Sequence, residues 1–157
     1  TSRVYATGFS NGAGMSYTLA CAMSNKIAAI ASMGGLLYMH TAQNSKPSPV
    51  AIMSIHGTAD YPRPYEGIDN YYYSINEMHQ YWINQNKTDK VPEIISFNSN
   101  GKTVEYHSYK NGTNNTSIDH YKVIDGEHNW LEIEYKDSNT NQLIWDFVSK
   151  YDVNGLR

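Results

Sequence analysis

The sequence has little of several features that mark particular classes of protein. Its 157 residues include one cysteine, Cys21, so no disulfide can form within the chain. Lys and Arg number 12 against 15 Asp and Glu, and the net charge of −3 favours neither nucleic acid nor an anionic membrane surface as a partner. No apolar run approaches the roughly 20 residues that a membrane-spanning helix needs. No cluster of His, Cys, Asp and Glu has the spacing of metal ligands, so we expect no metal and no cofactor.

The composition that remains is typical of one folded domain. Hydrophobic residues make up 40% of the chain, aromatic residues 13% and charged residues 17%, which argues against disorder. The length suits a single domain with a core of its own. Cys21 lies in an apolar stretch and is expected to be buried.

Short apolar strands alternate with helices along the chain. Strand patterns cover residues 3–7, 27–33, 50–55, 92–97, 103–109 and 117–124. Helix patterns cover residues 11–24, 75–85 and 140–151, and Ser74 with Glu77 predicts a capping box before the second helix. Polar segments with prolines predict loops at residues 41–49 and 61–69. This order predicts an α/β fold with a mostly parallel sheet and flanking helices, whose chemistry gathers at the carboxyl ends of the strands.

The first strand runs into the motif G-x-S-x-G at residues 8–12, and a helix follows. Between a strand and a helix this motif predicts a nucleophile elbow, a tight turn that presents Ser10 above the sheet. Side chains in place of Gly8 and Gly12 are expected to collide with neighbouring backbone. The N–H of Asn11, at the positive end of the helix, is the expected oxyanion donor. The alternative is an ordinary strand-to-helix turn in which Ser10 caps the helix.

A serine nucleophile needs a base, and the base needs an acid that orients it. Asp60 follows the strand at residues 50–55, and His128 follows the strand that ends near residue 124. The order Ser, Asp, His is that of α/β-hydrolases. His56 is predicted to pack or hydrogen-bond within the acid loop. The histidines at 40, 79, 107 and 120 are predicted to be surface or structural residues.

Three motifs, in the same order along the chain, resemble those of the polyhydroxybutyrate depolymerase-like and feruloyl esterase group of the α/β-hydrolases. RVYATGFSNG at residues 3–12 is similar to the elbow of that group. IHGTAD at residues 55–60 resembles its acid loop, and GEHNW at residues 126–130 resembles its histidine loop. IWDF at residues 144–147 is similar to its closing helix, so the resemblance extends over nearly the whole chain.

The resemblance implies a secreted serine esterase of the α/β-hydrolase fold. Its substrates would be feruloyl or acetyl esters on plant polysaccharides, or short polyhydroxyalkanoate esters. It makes Ser10 the nucleophile, His128 the general base and acid, and Asp60 the orienting carboxylate. Phe9 and Trp130, which lie within the motifs, would line the substrate site, although simple packing within its loop is the other interpretation of Trp130.

Several strands precede the elbow in that group, and a loop among them supplies a second oxyanion N–H. Residues 1–157 start at the elbow strand, so we expect them to be the C-terminal part of a single catalytic domain that lacks its N-terminal strands. A free sheet edge is then expected beside residues 3–7. Two other functions stay open: a non-catalytic carbohydrate-binding or structural module, and a serine peptidase of the same fold.

Overall fold

A six-stranded sheet organises the chain in the computed structural model, which describes all of residues 1–157. Its strands are β1 (Tyr5–Phe9), β2 (Ala29–Met33), β3 (Ala51–Gly57), β4 (Glu93–Ser99), β5 (Lys102–Tyr109) and β6 (Ile118–Val123). The order across the sheet is β1-β2-β3-β6-β5-β4. The pairs β1–β2, β2–β3 and β3–β6 are parallel, whereas β6–β5 and β5–β4 are antiparallel. The mostly parallel α/β sheet is therefore confirmed.

Four helices accompany the sheet: α1 (Asn11–Ala22), α2 (Met39–Gln43), α3 (Ile75–Asn86) and α4 (Thr140–Val148). Two small hairpins, β7 (Glu134–Tyr135) with β8 (Ser138–Asn139) and β9 (Tyr151–Asp152) with β10 (Gly155–Leu156), flank α4. A single 3₁₀ turn spans Thr113–Asn115. None of the helices has the length and apolar character needed to cross a membrane.

Alternating side chains of the strands divide the core into two layers. One layer joins Ile30, Ile52 and Ile118 of the sheet to apolar residues of α1 and α3, including Trp82. The other joins the opposite face of the same strands to α4. Cys21 is buried in the first layer, as expected. Both faces of β2 and β3 are covered, since every residue of these two strands is buried, which explains their nearly continuous apolar sequences.

The helix and loop predictions differ from the structure at two places and agree at the capping box. The segment 41–49, predicted as a loop, begins inside the five-residue helix α2. The closing helix ends at Val148 rather than at Tyr151, which belongs to β9. The capping box is confirmed: Ser74 Oγ accepts from the Glu77 N–H at 3.2 Å, and Glu77 Oε2 accepts from the Ser74 N–H at 2.8 Å.

Strand β1 pairs only with β2 and so forms one edge of the sheet, as expected for the first strand of the chain. The carboxyl ends of β1, β3 and β6 point to the same edge of the molecule, because the strands between them are all parallel. The loops that follow these three strands carry Ser10, Asp60 and His128.

Candidate active site

The elbow is a strained turn built on close backbone approach. Ser10 has φ 57° and ψ −115°, a conformation that non-glycine residues rarely adopt. A Cβ on Gly8 would stand 2.8 Å from the Cα of Gly12, so position 8 requires glycine. The expected collision at Gly12 is wrong, because a Cβ there would meet no atom within 4 Å. Gly12 lies on the exposed side of the first helical turn.

The Ser10 side chain makes no capping hydrogen bond to α1. Its Oγ lies 2.9 Å from His128 Nε2 instead. On the other side of the same ring, His128 Nδ1 lies 2.8 Å from Asp60 Oδ2. Because a carboxylate only accepts, Nδ1 carries the proton and Nε2 of the neutral ring is free to accept from the serine hydroxyl. The three predicted side chains thus form one continuous hydrogen-bonded line, which the capping alternative does not provide.

Asp60 is more deeply buried than the other two side chains. The side chain of Asp60 is 1% exposed, and that of His128 is 18% exposed. Asp60 has a second partner, since its Oδ1 accepts from the Arg63 N–H at 2.8 Å. A buried carboxylate with both oxygens hydrogen-bonded is held in one orientation, and it holds the imidazole in turn.

The acid loop and the histidine loop are joined along their backbones. The Thr58 N–H donates to Val123 O at 3.0 Å, and the Ala59 N–H donates to Gly126 O at 2.9 Å. Thr58 Oγ1 accepts from the Asp125 N–H at 2.9 Å. A Cβ on Gly57 would lie 2.8 Å from the Cα of Gly126 and nearer still to its carbonyl group. The two glycines therefore permit the approach that brings Asp60 within reach of His128.

A hydrogen bond between His56 and Arg63 stabilises the acid loop. His56 Nε2 donates to Arg63 O at 2.7 Å, as predicted for a histidine that hydrogen-bonds within this loop. Burial lowers the pKa of His56, so its 3.6 Å approach to Asp60 Oδ2 is that of a neutral ring.

The role of Arg63 in this site was not identified from the sequence. Its guanidinium donates to the Asn11 side-chain oxygen at 2.5 Å and lies over the Tyr72 ring at 5.4 Å. The one local signal is its position three residues after Asp60, where aspartate side chains often accept backbone N–H bonds. Through Asn11, Arg63 ties the acid loop to the elbow.

The backbone N–H of Asn11 lies at the start of α1 and donates to no acceptor in the protein. It is therefore available to an oxyanion beside Ser10. Phe9 packs its ring against His128, with ring centres 4.8 Å apart. Trp130 is 39% exposed and lines a separate small cleft near the β4–β5 turn, which neither Ser10, Asp60 nor His128 lines. The structure thus packs Phe9 against the base of the three central residues.

The remaining histidines lie away from the serine. His40 is exposed on α2. His107 Nε2 lies 3.0 Å from Glu105 Oε2, and His79 and His120 are buried against each other beneath the acid loop. No group of three or more His, Cys, Asp or Glu side chains is arranged to hold a metal ion.

Comparison with known proteins finds esterases among the relatives of this chain. Feruloyl esterase D of Neurospora crassa is 28% identical over 156 residues, which are 97% of this chain and 49% of that protein. A bifunctional acetylxylan esterase/xylanase of Neocallimastix patriciarum is 27% identical over 99% of this chain and 21% of its own length. A probable feruloyl esterase C of Aspergillus terreus is 42% identical over 64 residues, 40% of this chain and 23% of its own. The chain thus spans about half the length, or less, of these curated relatives.

The family match covers most of the chain, and it includes the elbow, the acid loop and α3. It spans residues 1–111, the part of the sequence that carries Ser10 and Asp60. The mostly parallel sheet with helices on both faces is the architecture expected of such a protein. The chain belongs to the phospholipase/carboxylesterase family of α/β-hydrolases.

Proposed function

We propose that the protein hydrolyses carboxylic esters through an acyl-enzyme, with Ser10, His128 and Asp60 as its catalytic triad. The observation that carries the proposal is the hydrogen-bonded line from Ser10 Oγ through both ring nitrogens of His128 to Asp60 Oδ2, with distances of 2.9 and 2.8 Å. Serine, imidazole and carboxylate in this order generate a nucleophile at neutral pH.

In the first half of the reaction, Ser10 Oγ attacks the ester carbonyl while its proton passes to His128 Nε2. The carbonyl oxygen becomes an oxyanion, which the Asn11 N–H stabilises. Asp60 stabilises the imidazolium that forms. His128 then returns the proton to the departing alkoxide, and the C–O bond to the alcohol breaks. Strain at Ser10 keeps the hydroxyl directed toward the base rather than toward the end of the helix.

In the second half, water takes the place of the alcohol. It gives a proton to His128 Nε2 and attacks the acyl-enzyme carbonyl, and the proton returns to Ser10 Oγ as the acid departs. By resemblance to the feruloyl esterases, a second backbone N–H is proposed to bind the oxyanion beside that of Asn11. An alkoxide leaves more readily than an amine, so esters suit this site better than amides.

The substrate class follows from the relatives. Those named above act, by their names, on feruloyl or acetylxylan esters. We propose the same class here, feruloyl or acetyl esters linked to plant polysaccharide, with short polyhydroxyalkanoate esters as the further possibility. We propose that Phe9, which packs against His128, lines the acyl site, and a substrate contact by Trp130 stays a prediction. Secretion likewise stays a prediction from the resemblance.

The decisive experiment measures hydrolysis of p-nitrophenyl acetate by wild-type protein and by Ser10→Ala. Loss of the nucleophile should lower kcat by roughly 10⁴-fold or more, while thermal unfolding stays unchanged. The matched control is Ser48→Ala, because Ser48 is exposed and lies outside the candidate site. Retention of activity by Ser10→Ala would reject the triad. A panel of methyl ferulate, acetylated xylan and hydroxybutyrate dimer then ranks the acyl groups.

Two competing functions are separated by simpler assays. A fluorophosphonate probe should label the wild type and Ser48→Ala but not Ser10→Ala, because only an activated serine reacts. Absence of labelling in all three proteins would favour a non-catalytic carbohydrate-binding or structural module. Faster turnover of a peptide anilide than of the matching ester would favour a peptidase.

A further inference from the structure

A second cleft, of about 510 Å³, lies beneath the acid loop. Its walls come from the acid loop, from the start of α3 and from the neighbouring strands β5 and β6. Asp60 is the one member of the proposed triad that lines it; Ser10 and His128 do not. The cleft falls within the size range of sites for small organic ligands, about 300–1,000 Å³.

A chain of buried hydrogen bonds runs along the floor of this cleft. Ser54 Oγ lies 2.7 Å from His120 Nδ1 and 3.2 Å from His79 Nε2. The Tyr65 hydroxyl lies 2.8 Å from His120 Nε2. Because a serine hydroxyl has one proton, Ser54 donates to one of the two imidazoles and accepts from the other. Within this series of hydrogen bonds, every polar side-chain atom therefore has a partner except His79 Nδ1.

His79 is 3% exposed, yet its Nδ1 has no hydrogen-bond partner in the protein. That nitrogen is not sealed from solvent, since the sealed polar side-chain atoms without a partner are those of Tyr17 and Trp82. His79 lines the cleft, so the free nitrogen is reached from there. A buried polar atom of this kind needs a partner, and a ligand in the cleft can supply one.

The cleft offers hydrogen bonds rather than an unpaired positive charge. Burial lowers the pKa of His79 to about 3 and lowers that of His120, so both rings are neutral near pH 7. The ammonium group of Lys122 at the rim lies 3.4 Å from the Glu105 carboxylate, which balances its positive charge. Glu66 and Asp60 also line the cleft. These charges disfavour an anionic ligand, whereas a neutral imidazole can donate to or accept from a hydroxyl group.

Aromatic rings supply the remaining surface. Tyr61 at the mouth is 90% exposed, and the rings of Tyr65 and Tyr109 line the interior. Flat aromatic faces pack against the C–H faces of sugar rings, and the polar groups between them match ring hydroxyls. The exposed side chain of Asn76, in the first turn of α3, adds an amide at the rim.

We propose that this cleft binds a neutral saccharide of one or two rings, with His79 Nδ1 as its central hydrogen-bond partner. The site goes beyond the proposed ester hydrolysis and does not depend on it, because neither Ser10 nor His128 takes part. If the bound sugar belongs to a polysaccharide, the cleft would anchor the protein to that polymer.

The test is titration of xylobiose into the purified protein, followed by calorimetry and by NMR shift changes. Asn76→Trp should fill the mouth and weaken binding by at least about tenfold. The matched control, Asn84→Trp, makes the same substitution at an exposed position of α3 away from the cleft and should bind like the wild type. His79→Phe keeps an aromatic ring but loses both ring nitrogens, and a loss of roughly tenfold is expected.

Three results would overturn the proposal. The first is that the wild type does not bind xylobiose. The second is that Asn76→Trp binds xylobiose as tightly as the wild type does. The third is that the wild type binds glucuronate more tightly than xylobiose. Asn76 is exposed, so its replacement keeps the test valid even if His79→Phe does not fold. Ser10→Ala should bind xylobiose like the wild type, which separates failure of this site from failure of the proposed esterase.

Discussion

Alanine at position 57 should separate the two loops that carry Asp60 and His128. A Cβ there would stand 2.8 Å from the Cα of Gly126 and closer to the carbonyl group of the same residue. Ordinary contacts between carbon atoms lie at about 3.5–4.0 Å, so the two backbones must move apart by about 1 Å. The three nearest atoms all belong to the backbone of Gly126, which has no side chain that could rotate to absorb the shift.

A misplacement of about 1 Å between positioned groups costs on the order of 100-fold in rate. Gly57→Ala should therefore lower kcat for p-nitrophenyl acetate by about that factor, with KM much less affected. Gly126→Ala gives a graded comparison, because its Cβ would lie 3.0 Å from Gly57 Cα and from the Val123 side chain, and a smaller loss is expected. Thermal unfolding of both variants is measured alongside. A folded Gly57→Ala protein with the kcat of the wild type would refute this account of how the loops are held.

Other substitutions test the elbow, the buried histidine and the capping box. Gly8→Ala should abolish activity, because its Cβ would lie 2.8 Å from Gly12 Cα, whereas Gly12→Ala meets no atom within 4 Å and should keep kcat. Folded His79 stays neutral down to about pH 3, while in the unfolded chain it takes up a proton below about 6.5. The free energy of unfolding should therefore fall as the pH drops through this window, by about 2 kcal/mol at pH 5 in urea titrations, and His79→Gln should flatten the profile. A profile of unchanged slope in that variant would contradict the assignment. Ser74→Ala should lower the free energy of unfolding by about 1 kcal/mol, seen as a lower Tm, through loss of the bond to the Glu77 N–H.

The parallel half of the sheet could be predicted because β2 and β3 have apolar runs of strand length and each parallel strand is followed by its own turn signal. The positions of Ser10, Asp60 and His128 followed from strand ends, since parallel strands place their carboxyl ends at one edge. The elbow also had a local sequence signal, the glycine at position 8, because a side chain there would collide with the backbone of the turn. The same reasoning was wrong for Gly12, because packing beyond the turn decides whether a Cβ fits.

Features that depend on contacts between distant segments had no such signal. Helix α2 is five residues long, too short for a periodic pattern to show. Tyr151 continues the apolar stripe of the closing helix, yet it pairs in β9 with a strand that follows it. The bond from Arg63 to Asn11 spans 52 residues, and the cleft around His79 collects residues from four separate segments. Such neighbours become visible only when the chain is folded.

The line of hydrogen bonds at the proposed triad has a consequence for how the protein reaches its active form. Ser10 and His128 are 118 residues apart in the chain, and Asp60 and His128 are 68 apart. Contacts of such long range close late in folding, because the entropy of the intervening loops is lost before the contacts stabilise anything. Helix α3, with its own capping box, can form from local contacts. During refolding, the helical circular dichroism signal should thus recover before hydrolysis does, and turnover measures when β1, β3 and β6 have come together.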